Sequence, residues 1–210
     1  MFFRWPRPKA DELEQLYSSA PVETWTDVGD DRADWEMGWA WAGRLAEGSS
    51  ILDIGCADGS FLRRLVERYQ CMGIELNRAA AAVARERGIC VINENLWDAV
   101  RTVPHPADCV TSFDVIEHVE NPKTFLEICT ALTRPGGLLI IGTGDADAWT
   151  FRLWGSRYWY CAIPEHISFV GQTWFRRVAP GLGLQVLQLQ RVAHRKGSVG
   201  RRARELVSNV

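Results

Sequence analysis

The chain has 210 residues, 47% of them hydrophobic and 24% charged, with a formal net charge of −2. That length suits one domain with a real core, and the near-neutral balance argues against nucleic acid as the main partner. No run approaches the ~20 apolar residues of a transmembrane helix, and the first residues, Met1-Phe2-Phe3-Arg4-Trp5-Pro6, lack the pattern of a secretory signal. A cytoplasmic protein without stable membrane insertion is expected.

Residues 1–48 read as an N-terminal helical or lid segment, with Trp35 and Trp39 on one helix face. Residues 49–145 then alternate apolar runs with helical patterns. Ile51–Ile54 is the first strand. It runs into Gly55-Cys56-Ala57-Asp58-Gly59, a turn nearly free of side chains. Such a turn lets a ligand lie on the backbone. Phe61, Leu62, Leu65, Val66 and Tyr69 follow at helical spacing with Ser60 placed to cap. Cys71–Leu76 is the second strand. Asn77 opens an Ala/Arg-rich helix that Gly88 ends. Ile89–Ile92 and Asp108–Phe113 are strands three and four, and Asn121-Pro122 starts a helix running to about Thr133. Arg134-Pro135-Gly136-Gly137 turns the chain into strand five, Leu138–Gly142.

Strands apolar on both faces and separated by helices imply an α/β fold: a Rossmann-like, doubly wound, mostly parallel sheet with helices on both faces. Ligands in such folds bind beyond the carboxyl ends of the strands where the strand order reverses, and the Gly55–Gly59 turn falls there.

Glu75 lies twenty residues beyond Gly55, the position from which an acid accepts ribose hydroxyls. A dinucleotide site would want G-x-G-x-x-G. Here the turn is G-x-A-x-G, with Asp53 two residues before it and Ser60 where the third glycine would fall. An acid at the strand end repels pyrophosphate and suits a ligand carrying an ammonium group. This favours S-adenosylmethionine, which has an amino-acid tail, a ribose and no phosphate.

Four ordered segments carry a resemblance. Ile51–Leu62 resembles the L-D-x-G-C-G-x-G motif, with Ala57 for the middle glycine. Gly73-Ile74-Glu75-Leu76 resembles a ribose motif, Phe113–Pro122 a D-V-x-E-H-V-x-x-P segment, and Leu132–Gly137 an L-x-P-G-G turn. On these the chain is identified as a member of the class I S-adenosylmethionine-dependent methyltransferases, similar over residues 35–190 to the small-molecule branch that includes the ubiquinone-biosynthesis enzymes. The resemblance implies that Asp53, Gly55, Cys56, Ala57 and Gly59 surround the amino-acid tail of the cofactor. Glu75 takes the ribose and Leu76 packs beside the adenine. Asn95 stands where the family has an acid contacting the adenine amine, with Leu96 offering its backbone and Asp98 as a substitute. Phe113 and Asp114 close over the cofactor near its methyl group.

Methyl transfer needs a base only if the acceptor must lose a proton, and His118 and His166 are the candidates. Each has a plainer role as a loop-stabilising side chain. Asp114, Glu117 and His118 also show i, i+3, i+4 ligand spacing, but the ubiquinone-type E-x-x-E-H has become D-x-x-E-H, and no metal is expected. None of the six cysteines forms a C-x-x-C pair, and reduced thiols without a zinc site are expected.

Residues 146–194 read as a substrate-cap segment followed by a helix, Gln172–Ala179, and a strand, Leu184–Val192. Residues 195–210 form a basic tail, and the family's last strand has no counterpart there, so either the enzyme lacks it or the chain is a truncated version of something longer. Of ten tryptophans only Trp97 falls between residues 50 and 145; the rest either pack flanking helices on the sheet or line an apolar acceptor pocket. The expected activity is methyl transfer to a small-molecule acceptor at oxygen, carbon or nitrogen. A cofactor-binding module without catalysis and a nicotinamide-dependent oxidoreductase are the alternatives.

Overall fold

Runs that are apolar on both faces can be buried only between two helical layers, and the chain folds accordingly. The structure, a computed structural model, describes residues 1–19, 32–92 and 95–192. Its centre is a five-stranded sheet of β2 (Ser50–Ile54), β3 (Gln70–Ile74), β4 (Cys90–Ile92), β5 (Ala107–Phe113) and β6 (Thr133–Gly142), ordered β4-β3-β2-β5-β6. All four pairings are parallel. The chain winds outward from β2 through β3 to β4, then returns to β2's other side with β5 and β6. The strand order therefore reverses between β2 and β5, the point beyond whose carboxyl ends folds of this kind bind their ligands.

Two apolar clusters fill the sheet's faces. One gathers Trp35 and Ala42 of α2 (Ala33–Ala42), Phe61 and Leu62, and Ala81 and Ala84 of α3 (Arg78–Glu86). Ala80, Ala81 and Ala84 are fully buried, so α3 approaches the sheet closely on small side chains. The other gathers Ala99 of α4 (Leu96–Ala99), Phe125, Cys129 and Leu132 of α5 (Pro122–Leu132), and Val170. The expected caps form: the side chain of Asn77 accepts from the Ala80 amide, and that of Asn121 from the amides of Lys123 and Thr124. Gly88 ends α3 at φ +81°.

A smaller unit sits over the carboxyl ends. β1 (Phe2–Phe3) pairs antiparallel with β7 (Ser168–Phe169), and α1 (Ala10–Ser19) follows β1. Two short helices, α6 (Trp149–Trp154) and α7 (Trp159–Ala162), lead into β7, and α8 (Gln172–Val178) comes after it. Arg4 fastens the N-terminus: its amide donates to the Ile167 carbonyl, and its guanidinium donates to the carbonyls of Cys161, Ile163 and His166.

Three expected elements differ. Residues 61–69 do not form an α-helix: a 3-10 turn at Leu62–Arg64 is continued by mixed i→i+3 and i→i+4 bonds. Phe61, Leu62, Leu65 and Tyr69 still point inward, because a 3-10 turn and a helix share that short-range periodicity. Ser60 does not cap; its own amide donates to Asp58 Oδ1 at 3.0 Å. The Arg134–Gly137 turn lies inside β6 as an irregularity, with Ala107 paired to Thr133 and Cys109 to Leu138. Leu184–Val192 is not a strand. Val186 and Leu187 are exposed and make no ladder bonds, and alternating apolar residues without a neighbouring strand leave nothing for a ladder to pair with. The basic tail at 195–210 lies outside the described residues.

Candidate active site

The loop after β2 is built from main-chain bonds. The amides of Gly55 and Cys56 both donate to the Ile74 carbonyl, at 2.9 and 3.1 Å, and Gly59 donates to Cys56. Gly55 and Gly59 take φ values of +74° and +75°, and a Cβ would collide with Val115 at the first and Ile89 at the second. Ala57 adopts φ +46° despite its side chain, a conformation costly for any L-residue with a Cβ. Its amide donates to Glu75 Oε2 at 2.8 Å, while Glu75 Oε1 accepts from the Asn77 amide at 2.7 Å. Glu75, directly after β3, thus ties the loop to the start of α3. Burial raises its carboxyl above the ordinary range, and the amides of Asn77, Ala57 and Leu76 oppose that.

Asp53 sits one strand away, buried, with Thr111 donating to its Oδ1 at 2.6 Å. Burial pushes its pKa up to about 7 against the Thr111 hydrogen bond, with Glu75 adding to the rise and Arg32 opposing it. Arg32 was not singled out by any motif. It is almost fully buried, pairs with Asp34, and reaches Asp114 Oδ2 at 2.6 Å. Burial disfavours its charge, but Asp34 and Asp114 hold it protonated. Asp114 stands at φ +53° immediately after β5.

On the other side of the crevice, His118 belongs to the 3-10 turn Ile116–His118, and His166 precedes β7. Their rings meet edge to face with centroids 4.8 Å apart. His166 Nδ1 lies 2.9 Å from the Tyr160 carbonyl and His118 Nδ1 lies 3.1 Å from the Glu165 carbonyl. A carbonyl only accepts, so in a neutral His166 Nδ1 carries the hydrogen and Nε2 the lone pair, whereas at His118 the Tyr17 hydroxyl beside the same nitrogen can donate or accept. Burial lowers both pKa values, that of His166 to about 4 with His118 adding to the effect. Both rings are therefore neutral at pH 7.

Around this pair stand residues that sequence reasoning left aside. The Tyr17 hydroxyl is 2.5 Å from His118 Nδ1, and the Tyr17 carbonyl accepts from Asn77 Nδ2 at 3.0 Å. One residue of α1 therefore touches both His118 and the cap beside Glu75. Burial, then the carboxylates of Glu165 and Glu117, keeps the Tyr17 phenol protonated. Glu117 is completely enclosed: Tyr160 donates to its Oε1 at 2.6 Å and Thr143 to its Oε2 at 2.9 Å. Burial raises its pKa, with Asp114 adding to the rise and the Tyr160 hydrogen bond opposing it. Glu117, His118 and His166 each place one atom of metal-ligating type within 4.8 Å of the others, the only such group among the described residues.

Asp53, Gly55, Cys56, Ala57, Gly59 and Glu75 thus come together around one loop. Two predicted positions, Phe113 and Asn95, lie differently. The Phe113 ring is in the core against Phe61, pressed by Gly38 and Gly142, rather than over the loop. Asn95 commits its side chain to Asp98, accepting from its amide and donating to its carboxylate. Leu76 and Leu96 are half-buried. The signal for Tyr17 and Arg32 was absent, because each reaches the site through long-range packing rather than through a motif.

The comparisons with known proteins agree with this geometry. A family model described as a methyltransferase domain matches residues 39–189. A ubiquinone biosynthesis O-methyltransferase of Azoarcus sp. is 28% identical over 199 residues, 89% of this chain and 79% of that protein. A protein of the same name from Chromobacterium violaceum is 30% identical over 158 residues, 67% of each. Among solved structures, the magnesium protoporphyrin IX methyltransferase of Synechocystis with bound S-adenosylhomocysteine superposes with a TM-score of 0.67. It is 14% identical and covers 90% of this chain and 95% of its own, a likeness of fold. With its model matched from the helix before β2 to beyond α8, the chain belongs to the methyltransferase-domain family and is an enzyme of methyl transfer.

Proposed function

We propose that the chain transfers a methyl group from S-adenosylmethionine to a hydroxyl oxygen of a small, ring-bearing acceptor, with the His118–His166 pair taking the hydroxyl proton. The observation that carries this reading is the pairing of two differently built halves across one crevice. One half is a side-chain-free loop flanked by Asp53 and Glu75. The other is two neutral histidines in edge-to-face contact, with Nδ1 of His166 donating to the Tyr160 carbonyl.

The donor set fits the cofactor. The Gly55–Gly59 loop has no room for added side chains at Gly55 and Gly59, so the amino-acid tail would rest on backbone. Asp53 suits its ammonium. The amides of Asn77, Ala57 and Leu76 orient the Glu75 carboxylate, which is the acceptor that the ribose hydroxyls would meet. Leu76 and the backbone of Leu96 would border the adenine. The bound cofactor supplies a methyl group already activated on a sulfonium.

The chain's remaining task is to orient the acceptor, exclude water and remove a proton. His166 is placed to accept the hydroxyl proton at Nε2 as the oxygen becomes the nucleophile. Its neutral state at pH 7 follows from burial. Tyr17 and the Glu117–Tyr160–Thr143 network hold the surrounding walls. The names of the curated relatives favour oxygen as the acceptor atom and a quinone precursor as the acceptor class.

A labelled-methyl assay over phenolic, amine and carbon acid acceptors tests the reading. Transfer to phenols that collapses in His166→Ala, with cofactor affinity retained, is the expected result. Transfer only to amines or carbon acids, or phenol methylation indifferent to both histidines, would overturn it.

A further inference from the structure

One arginine reaches from the N-terminus into the cap, and all the hydrogen bonds of its side chain among the described residues end on one short turn. Arg4 Nε donates to the His166 carbonyl at 2.9 Å, and Nη2 donates to the carbonyls of Cys161 and, at 2.6 Å, Ile163. The Arg4 amide donates to the Ile167 carbonyl at 3.0 Å, next to the pairing of Phe3 with Ser168. Residue 4 thus holds carbonyls at positions 161, 163, 166 and 167. The turn is short of its own donors. α7 is only four residues long, so its carbonyls lack the helical amides that would meet them, and Pro164 removes one more amide from the stretch. A guanidinium presents five N–H donors in one rigid plane and can gather several carbonyls at once, whereas a lysine ammonium is a single point on a flexible stem.

The same turn carries His166. Its amide donates to the Ile163 carbonyl at 3.2 Å, its Nδ1 donates to the Tyr160 carbonyl at 2.9 Å, and its own carbonyl is the one that Arg4 Nε meets. Both backbone polar groups of His166 and one ring nitrogen are therefore tied into the turn that Arg4 closes. The ring itself is buried, with its centroid 4.1 Å from that of Tyr160 and 4.8 Å from that of His118. A base that acts through one lone pair must be aimed closely, since a misplacement of about 1 Å costs about a hundredfold in rate.

We infer that Arg4 is a positioning residue for His166: by gathering the carbonyls of the 161–167 turn around one guanidinium, it holds the imidazole where the acceptor's proton is taken. The place of His166 in the chemistry rests on the function proposed above; the hold of Arg4 on the ring does not. Arg4 touches no reacting atom and acts only through the turn. It lies well before residues 39–189, the stretch shared with the methyltransferase-domain family.

Arg4→Ala, Arg4→Lys and His166→Ala variants of the full chain test it with two readouts. The first needs no acceptor: long-range ¹H–¹⁵N spectra of the histidine-labelled chain, with His166→Ala assigning the signals. Wild type should show His166 with a protonated Nδ1 and a bare Nε2, and Arg4→Ala should lose that single tautomer to averaging. Guanidinium at millimolar concentration, far below the denaturing range, should restore it, and Arg4→Lys should keep it only in part. The second readout is turnover of the phenol methylated fastest in the labelled-methyl assay. Arg4→Ala should lower kcat by about ten- to hundredfold with S-adenosylhomocysteine affinity within about twofold, and guanidinium should recover the loss. In a His166→Ala background Arg4→Ala should cost nothing further. A role in stability alone would lower the thermal midpoint and give no recovery of kcat in the folded protein. His166 spectra unchanged in both Arg4 variants overturn the inference, as does a kcat loss from Arg4→Ala that persists in full without His166. Spectra that respond as expected while His166→Ala leaves kcat unchanged would support the hold of Arg4 on the ring and overturn the role of His166 as base.

Discussion

The two walls of the crevice are made in different ways. The proposed cofactor wall is continuous chain: twenty-three residues from Asp53 to Glu75 fold back so that Glu75 closes on the loop through main-chain amides. The acceptor wall is assembled from Tyr17, His118, Thr143, Tyr160 and His166, contributed by five separate elements and held by side-chain hydrogen bonds. The first wall is backbone geometry and tolerates little change in shape. The second is a polar network whose shape can be altered one side chain at a time.

If that contrast is right, single substitutions should separate binding from turnover. The largest effect is expected from His166→Ala. Loss of the base should lower kcat by about 10²–10³-fold, while S-adenosylhomocysteine affinity stays within about twofold. Steady-state kinetics beside calorimetry checks this, and parallel losses in both would merge the two walls. Glu75→Ala should do the reverse, weakening cofactor affinity by about a hundredfold because both ribose contacts and the loop's tie to α3 are lost. An affinity within threefold of wild type would remove Glu75 from the ribose role.

A middle-sized effect belongs to Tyr160→Phe. It leaves the enclosed Glu117 with one donor instead of two and should cost about 1–3 kcal/mol in urea denaturation. An unchanged midpoint would mean that Glu117 does not need its Tyr160 donor. The smallest effect is Ala57→Gly. Relief of the left-handed conformation, partly offset by the freedom glycine has in the unfolded chain, should stabilise the protein by about 0.5–1 kcal/mol. Destabilisation would show that the alanine methyl packs usefully in the loop.

How much of this was legible in the sequence follows the same division. β2, the positive-φ glycines and the acids at Asp53 and Glu75 are local: strand, turn and strand end lie within one stretch of chain, and their residue types carry the reason for their position. The caps at Asn77 and Asn121 were legible because a cap acts within three residues. His118 and His166 were visible as candidates, but their approach to each other across 48 positions was not. Arg32 and Tyr17 carried no signal, since an arginine before a helix and a tyrosine in an amphipathic one are ordinary in isolation. Residues 61–69 and 184–192 misled for a related reason. Periodicity reports which side chains face inward, not whether i→i+4 bonds or a neighbouring strand exist to complete the element.

The proposed role of Asp53 would also tie cofactor binding to pH. Its carboxyl, raised to about 7 by burial, would have to lose its proton to pair with the cofactor's ammonium. Affinity should therefore rise as pH increases from about 5.5 to about 7.5, with the rise lost in Asp53→Asn.

The most direct test of the account is calorimetric titration of the full chain with S-adenosylhomocysteine at neutral pH, with NADH as the control. The account predicts binding of the first at micromolar concentration and none of the second. Binding of NADH alone, or of neither up to millimolar concentration, would contradict the assignment of the Gly55–Gly59 loop and Glu75 to that cofactor.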